Sequence, residues 1–400
     1  MMTFASVALV LLAAAVSIPV AILFVEVFAA AVARARSSSS EPHNERQGKV
    51  VVLVPAHNES GGILATLCDI QTQLRSGDRL LVVADNCTDN TAAVCRDAGA
   101  EVIERNQFGK RGKGYALDFG INHVRANPPE CVIIIDADCR VSASTIDVLT
   151  STCMRTGRPV QALDLMISPE GSAINYKASE LAWRVKNWVR PLGLKALNLP
   201  CQLMGTGMAF PWPVLSSVNL ATDNIVEDLK LGLELTAAGT PPLFCPSARV
   251  VSVFPPSHAG GAAQKVRWEH GHLRMIATAA PAYLSRAAKT GNLALLALTL
   301  DLAVPPLSLL ALLLSVALLL ALAGAAVGLG SLPLLIAGSA TFLFVLAIFF
   351  AWKMYGTDLF GWRDLNQLIG YAFSKTSFYW GVLRRRRLTR WERAERDKHQ

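Results

Sequence analysis

Residues 131–138, CVIIIDAD, decide the reading of this chain. The apolar run from Cys131 to Ile135 describes a buried strand, and it breaks straight into Asp136 and Asp138, which flank one small residue. Carboxylates just past a buried strand present oxygens to a hard divalent cation that also binds diphosphate oxygens. Upstream the same device recurs. Lys49–Pro55 (KVVVLVP) leads through Ala56, His57, Asn58 and Glu59 into a helical pattern at Leu64, Leu67 and Ile70. Arg79–Ala84 (RLLVVA) ends at Asp85 and precedes a helical stretch, Thr88–Ala98. Glu101–Glu104 leads into a glycine-rich basic turn, Phe108–Gly114 (FGKRGKG), and a helix from Tyr115. Strands alternating with helices predict an α/β domain with a parallel, covered sheet, whose sites lie at the C-terminal ends of the strands.

Each candidate residue has a chemical use and a plainer alternative. Asp85 can accept hydrogen bonds from a base or ribose, or cap a turn. Lys110, Arg111 and Lys113 can neutralise phosphate, or form a solvated loop; the pattern is neither GxxxxGK[ST] nor a Rossmann GxGxxG. Met204–Phe210 (MGTGMAF) offers a backbone wall against a sugar. Glu227 and Asp228 precede an apolar stripe at Leu229, Leu233 and Leu235, where a carboxylate serves as general base for a hydroxyl or simply favours a helix N-terminus. Between His258 and His272 lie Gln264, Arg267 and Trp268, an amide, a cation and an aromatic plane. They suit phosphate and carbohydrate, or an interfacial amphipathic helix.

Of the 400 residues, 52% are apolar and 17% charged, which excludes a chain that is only a small soluble enzyme and one that is disordered or collagen-like. The apolar residues are clumped. Phe4–Ala33 carries Glu26 as its one charge and is long enough to cross a bilayer; Leu293–Trp352 carries only Asp301 and divides at Gly328–Pro333 into two spans, Ala303–Val327 and Leu332–Trp352. Arg34, Arg36, Lys353 and the block Arg384–Arg387 flank the spans. The net charge of +8 therefore reflects membrane topology rather than nucleic-acid binding, and it places the middle region and the C-terminus in the cytoplasm. Eight cysteines without CxxC spacing read as reduced core thiols. The expected layout is an N-terminal transmembrane helix at 1–34, a linker at 35–48, a catalytic domain at 49–290, two transmembrane helices at 291–352, and an interfacial segment with a basic tail at 353–400.

Taken together, the P-A-x-N-E opening (Pro55 to Glu59), Asp85, the G-K-G turn, D-A-D, E-D and Q-x-x-R-W resemble the family 2 membrane glycosyltransferases, which include cellulose, chitin and hyaluronan synthases and ceramide glucosyltransferases. The resemblance covers about Val50–Trp268 and implies a GT-A fold inserted between transmembrane helices. It implies an inverting, metal-dependent hexosyltransferase that uses a nucleotide diphosphate sugar, a UDP-sugar, with Mg²⁺ or Mn²⁺. By motif, Asp85 resembles the nucleotide-contacting aspartate, Asp138 the metal ligand, with Asp136 on metal and donor, and Lys113 a donor-binding cation. Asp228 resembles the general base, paired with Glu227, while Gln264, Arg267 and Trp268 resemble the segment that holds the diphosphate and lines the acceptor site.

The expected function is a single addition to a lipid or membrane-associated glycan acceptor in a bacterial inner membrane, with a processive polysaccharide synthase as the alternative and a homo-oligomer open. Val226 stands where processive synthases commonly carry Thr. A transporter is disfavoured because the acidic candidate sites, Asp85, Asp136, Asp138, Glu227 and Asp228, sit in the long middle domain rather than within the spans. A non-catalytic scaffold is disfavoured because it has no use for Asp85, Asp138 and Asp228 together.

Overall fold

The computed structural model describes residues 4–36, 46–222, 226–255, 258–361 and 364, the side chains of 258–265 excepted. The described chain forms two compact units. Of the described residues, one unit comprises 46–167 and 199–271, and the other comprises 4–36, 168–198 and those from 272 onward. Most of the expected linker at 35–48 and of the interfacial segment and tail at 353–400 lies outside the described residues.

The first unit is built on an eight-stranded sheet: β1 (Val50–Ala56), β2 (Arg79–Asp85), β3 (Glu101–Arg105), β4 (Cys131–Ile134), β5 (Arg140–Val141), β6 (Val160–Ile167), β7 (Met208–Pro211) and β8 (Leu243–Val253). Their order is β3-β2-β1-β4-β7-β6-β8-β5. The half β3-β2-β1-β4 is parallel, as the strand–helix alternation predicts. Beyond β4 the sheet is mixed, because β7 runs antiparallel to both β4 and β6. The apolar run of β1 is continuous because both faces are covered. Val50, Val52 and Val54 pack in one core with Ile63, Leu67 and Ile70, while Val51 and Leu53 pack in another with Leu117, Ile121 and Phe210. Buried on both sides, β2 and β4 are apolar between their ends, and Asp85 and Asp136 leave at their C-terminal ends.

The second unit holds three helices long and apolar enough to cross a membrane: Phe4–Ala35, Leu307–Ala326 and Leu332–Tyr355. The span predicted from Ala303 begins at Leu307 instead. Pro305 and Pro306 cannot donate the backbone hydrogen bonds that would continue a helix, so Leu293–Leu302 stands as a separate helix. Leu23, Val27, Leu310, Leu314 and Ala347 pack with Val185 and Val189 of a π-helical turn, Val185–Val189. The two charges in the apolar runs have a shared partner. Arg190 donates through Nε to Glu26 Oε2 at 2.6 Å and through Nη2 to Asp301 Oδ1 at 2.5 Å, and all three side chains are buried.

Candidate active site

The G-K-G turn is shaped by backbone needs. Gly112 has φ of 137°, open to glycine but costly for other residues, and a Cβ at Gly114 would lie 2.7 Å from the Leu220 carbonyl oxygen. With those two glycines the helix Lys113–Val124 starts flush against the 220–222 segment. Its first residue, Lys113, then projects its ammonium into a cluster of acids. The ammonium is ion-paired to Asp136 Oδ1 and donates to the Gly205 carbonyl at 2.9 Å. Gly205 has φ of 89°, and a Cβ there would meet Asp228 Oδ2 at 3.5 Å and Lys113 Nζ at 3.6 Å. Asp136, Asp228, Lys113 and the MGTGMAF loop therefore meet at one place.

The electrostatics agree with that convergence. Burial alone would lower the Lys113 pKa, but Asp136, Glu227 and Asp228 outweigh it and hold the ammonium above its ordinary value. Burial raises the Asp136 pKa, Lys113 opposes the rise, and Asp138 adds to it. Glu227 is pushed up to about 8 by burial and then by the Asp228 charge. Burial lowers the Arg267 pKa, with Glu227 the charge that opposes it. Arg267 is thus coupled to the same cluster.

The D-A-D turn is held from beneath. Thr66, on the helix Ile63–Gln71, directs its hydroxyl at two carbonyl oxygens, Ala137 at 2.8 Å and Cys139 at 2.7 Å. The Asp136 amide donates to Thr206 Oγ1 at 3.0 Å, and buried Gln161 binds the Thr206 carbonyl and the Met204 amide on either side of that hydroxyl. Asp138 leaves the turn part-buried, close enough to Asp136 to raise its pKa.

Asp85 lies apart from these acids, at the end of β2, paired in register with Arg105 at the end of β3. Arg105 Nη1 donates to Asp85 Oδ1 at 2.5 Å, and Asn86 Nδ2 donates to the same oxygen at 2.9 Å. His57 Nδ1 sits 2.6 Å from the Asp85 carbonyl oxygen. Trp268 and Arg267 lie on the helix His258–Thr278 as part-buried residues; the Gln264 side chain lies outside the described residues. Among the described residues no group of three or more His, Cys, Asp or Glu side chains is arranged to hold a metal ion.

The sequence profile described as glycosyltransferase like family 2 matches residues 47–271. The chain belongs to this family. Among solved structures, the mannosyltransferase PcManGT from Pyrobaculum calidifontis in complex with GDP-Man and Mn²⁺ is similar over 93% of this chain and 99% of that one, at 17% identity and a TM-score of 0.53. At that identity the likeness is one of fold, and it shows the GT-A architecture. Glucosyl-3-phosphoglycerate synthase from Mycobacterium tuberculosis, in complex with Mn²⁺, UDP-glucose and phosphoglyceric acid, is similar over 60% of this chain and 80% of that one, at 21% identity and a TM-score of 0.39. Among curated proteins none matches.

Two residues of this candidate site escape a reading of the sequence. Thr66 does leave a signal, a hydroxyl within the otherwise apolar stripe Ile63, Leu67 and Ile70. Arg105 leaves none. It matters only because strand register sets it beside Asp85, and register is not written in either strand alone.

Proposed function

We propose that this family 2 glycosyltransferase moves one sugar from a nucleoside diphosphate sugar to a hydroxyl of a lipid or membrane-associated glycan, inverting the anomeric configuration in a single displacement. The observation that carries the reading is the convergence of Lys113, Asp136, Glu227 and Asp228 beside the D-A-D turn. With Glu227 pushed up to about 8 it holds its proton at neutral pH, which leaves Asp228 to take the proton of the acceptor hydroxyl. The acceptor oxygen then attacks the anomeric carbon, and the bond from that carbon to the diphosphate breaks with its electron pair leaving on the phosphate oxygen. Lys113 and Arg267 stand ready to offset that charge.

A hard divalent cation, Mg²⁺ or Mn²⁺, fits these residues. Asp136 already accepts one cation, the Lys113 ammonium, and such ions are commonly held by one or two carboxylates with substrate phosphates completing the shell. Asp138 and Asp136 would hold it. When bound it supplies positive charge to the departing diphosphate. Asp85 would contact the nucleoside, and Gln264, Arg267 and Trp268 the diphosphate and acceptor. The three apolar helices, with Arg34, Arg36 and Lys353 at their ends, support an integral membrane protein whose catalytic unit is cytoplasmic.

The test is transfer from a panel of nucleotide sugars by the full chain in lipid, with the product weighed by mass spectrometry. One added sugar that requires a divalent cation, and its loss in Asp228→Asn with donor binding retained, is the expected result. Undiminished turnover of Asp228→Asn overturns the assignment of the base, and a ladder of products overturns the single addition.

A further inference from the structure

We propose that Arg105 is a positioning residue that sets base specificity by consuming one oxygen of Asp85, so that the site takes a base offering a single ring N–H, a uridine diphosphate, over the paired donors of guanine. The proposal rests on Asp85 as the nucleoside contact of the proposed function. Both donors that reach the Asp85 carboxylate, Arg105 Nη1 at 2.5 Å and Asn86 Nδ2 at 2.9 Å, fall on Oδ1. A carboxylate oxygen has two lone pairs, and those of Oδ1 are spent. Oδ2 has no hydrogen bond among the described residues.

The carboxylate cannot easily trade its oxygens. Arg105 is 3% exposed and pinned through Nη2 to the Lys110 carbonyl at 2.8 Å and to Gln107 Oε1 at 3.3 Å, and its guanidinium lies 5.4 Å from the Tyr115 ring centroid. Around it the Asn86 amide donates to the Arg105 carbonyl at 2.7 Å, and the Gln107 amide to Asn86 Oδ1 at 2.8 Å. The fork of the guanidinium thus ties Asp85 to the basic turn that carries Lys110 and Lys113.

Guanine presents N1–H and N2–H side by side, and a carboxylate satisfies both only by using both oxygens. Uracil presents N3–H alone, which one oxygen satisfies. Hypoxanthine has the N1–H of guanine without its amino group, so it reports directly on whether a second oxygen takes part.

Binding of UDP, N3-methyl-UDP, GDP and inosine diphosphate to the full chain in detergent with Mn²⁺, measured by calorimetry, decides the matter. One charge-assisted hydrogen bond left unmatched makes UDP about tenfold or more tighter than GDP. N3-methylation removes the single donor and weakens UDP about tenfold, while inosine diphosphate binds within about twofold of GDP. GDP as tight as UDP, GDP about tenfold tighter than inosine diphosphate, or N3-methyl-UDP as tight as UDP each overturns the proposal while leaving the donor reading intact. Failure of all four to bind overturns the donor reading itself and the proposal with it. Arg105→Gln frees one of the two acceptor positions on Oδ1, the other remaining with Asn86, and should create a preference for GDP over inosine diphosphate; an unchanged ratio in the folded variant removes Arg105 from the account. Should Arg105→Gln not fold, the comparison of bases on the unaltered chain still decides.

Discussion

Lys113 is ion-paired to Asp136, and that contact ties the glycine-rich turn before the helix Lys113–Val124 to the acidic turn after β4. One ammonium faces three further charges or potential charges, those of Glu227, Asp228 and the diphosphate a donor would bring.

Lys113→Met should therefore leave the acids to repel one another and the donor. Turnover is expected to fall about a hundredfold, as for loss of one electrostatic contact to developing charge, with the protein still folded. Steady-state kinetics with a saturating cation measure this, and unaltered turnover would show that the ammonium has no part in transfer.

Stability should depend on pH through Glu227. A carboxyl whose folded pKa is raised stabilises the fold fully below its unfolded value and loses that contribution as pH rises through the folded one. The window runs from the ordinary 4.5 to about 8. Thermal midpoints of the unaltered protein should decline across it, and Glu227→Gln should flatten the decline. Parallel curves for the two proteins would contradict the assignment.

Thr66→Ala strips one hydroxyl from two carbonyl oxygens of the D-A-D turn. A cost of about 1–3 kcal/mol is expected, the usual penalty for buried polar groups left unsatisfied. The apparent affinity for the divalent cation should weaken in step, because Asp136 and Asp138 lose their support, and Thr66→Ser should restore both. Denaturant titration and cation titration of activity read the two effects separately.

In the apolar unit, Arg190→Met leaves Glu26 and Asp301 buried without their shared cation. Breaking a buried pair from one side costs about 3–5 kcal/mol. The triple change Glu26→Gln, Arg190→Met, Asp301→Asn should recover most of that loss in detergent thermostability. A triple variant as unstable as the single one would mean that packing, not charge, dominates there.

Gly193→Ala tests the neighbouring helix contact. A Cβ at 193 would stand 1.8 Å from the Glu26 carbonyl oxygen, which is backbone and cannot swing aside. Overpacking of this kind costs about 1–3 kcal/mol or more and should lower the thermal midpoint. An unchanged midpoint would show that the two helices part freely.

The strands, the turns that end them and the three apolar helices were legible because each is a local pattern: a run of apolar residues, its period, and the polar residue that stops it. Asp85, Asp136 and Asp138 were found this way, as strand ends. The acid pair at 227–228 is legible as a candidate general base at a helix start, but its nearness to Lys113 is not. Glu26 and Asp301 stood out as charges in apolar runs, yet their partner Arg190 lies in a stretch, Ser168–Asn198, that follows β6 and gives no sign of packing with the apolar helices.

By itself the sequence determined the alternation of strands and helices, the apolar helices and the identity of the carboxylates, since these follow from side-chain chemistry at neighbouring positions. The tertiary structure alone decided that the sheet turns mixed beyond β4, that Lys113 answers to acids more than twenty residues away, and that Arg105 occupies one oxygen of Asp85. Those relations depend on strand register and on close backbone approach at glycines. Both are products of the whole packed chain, settled by which surfaces can be buried together rather than by any one segment.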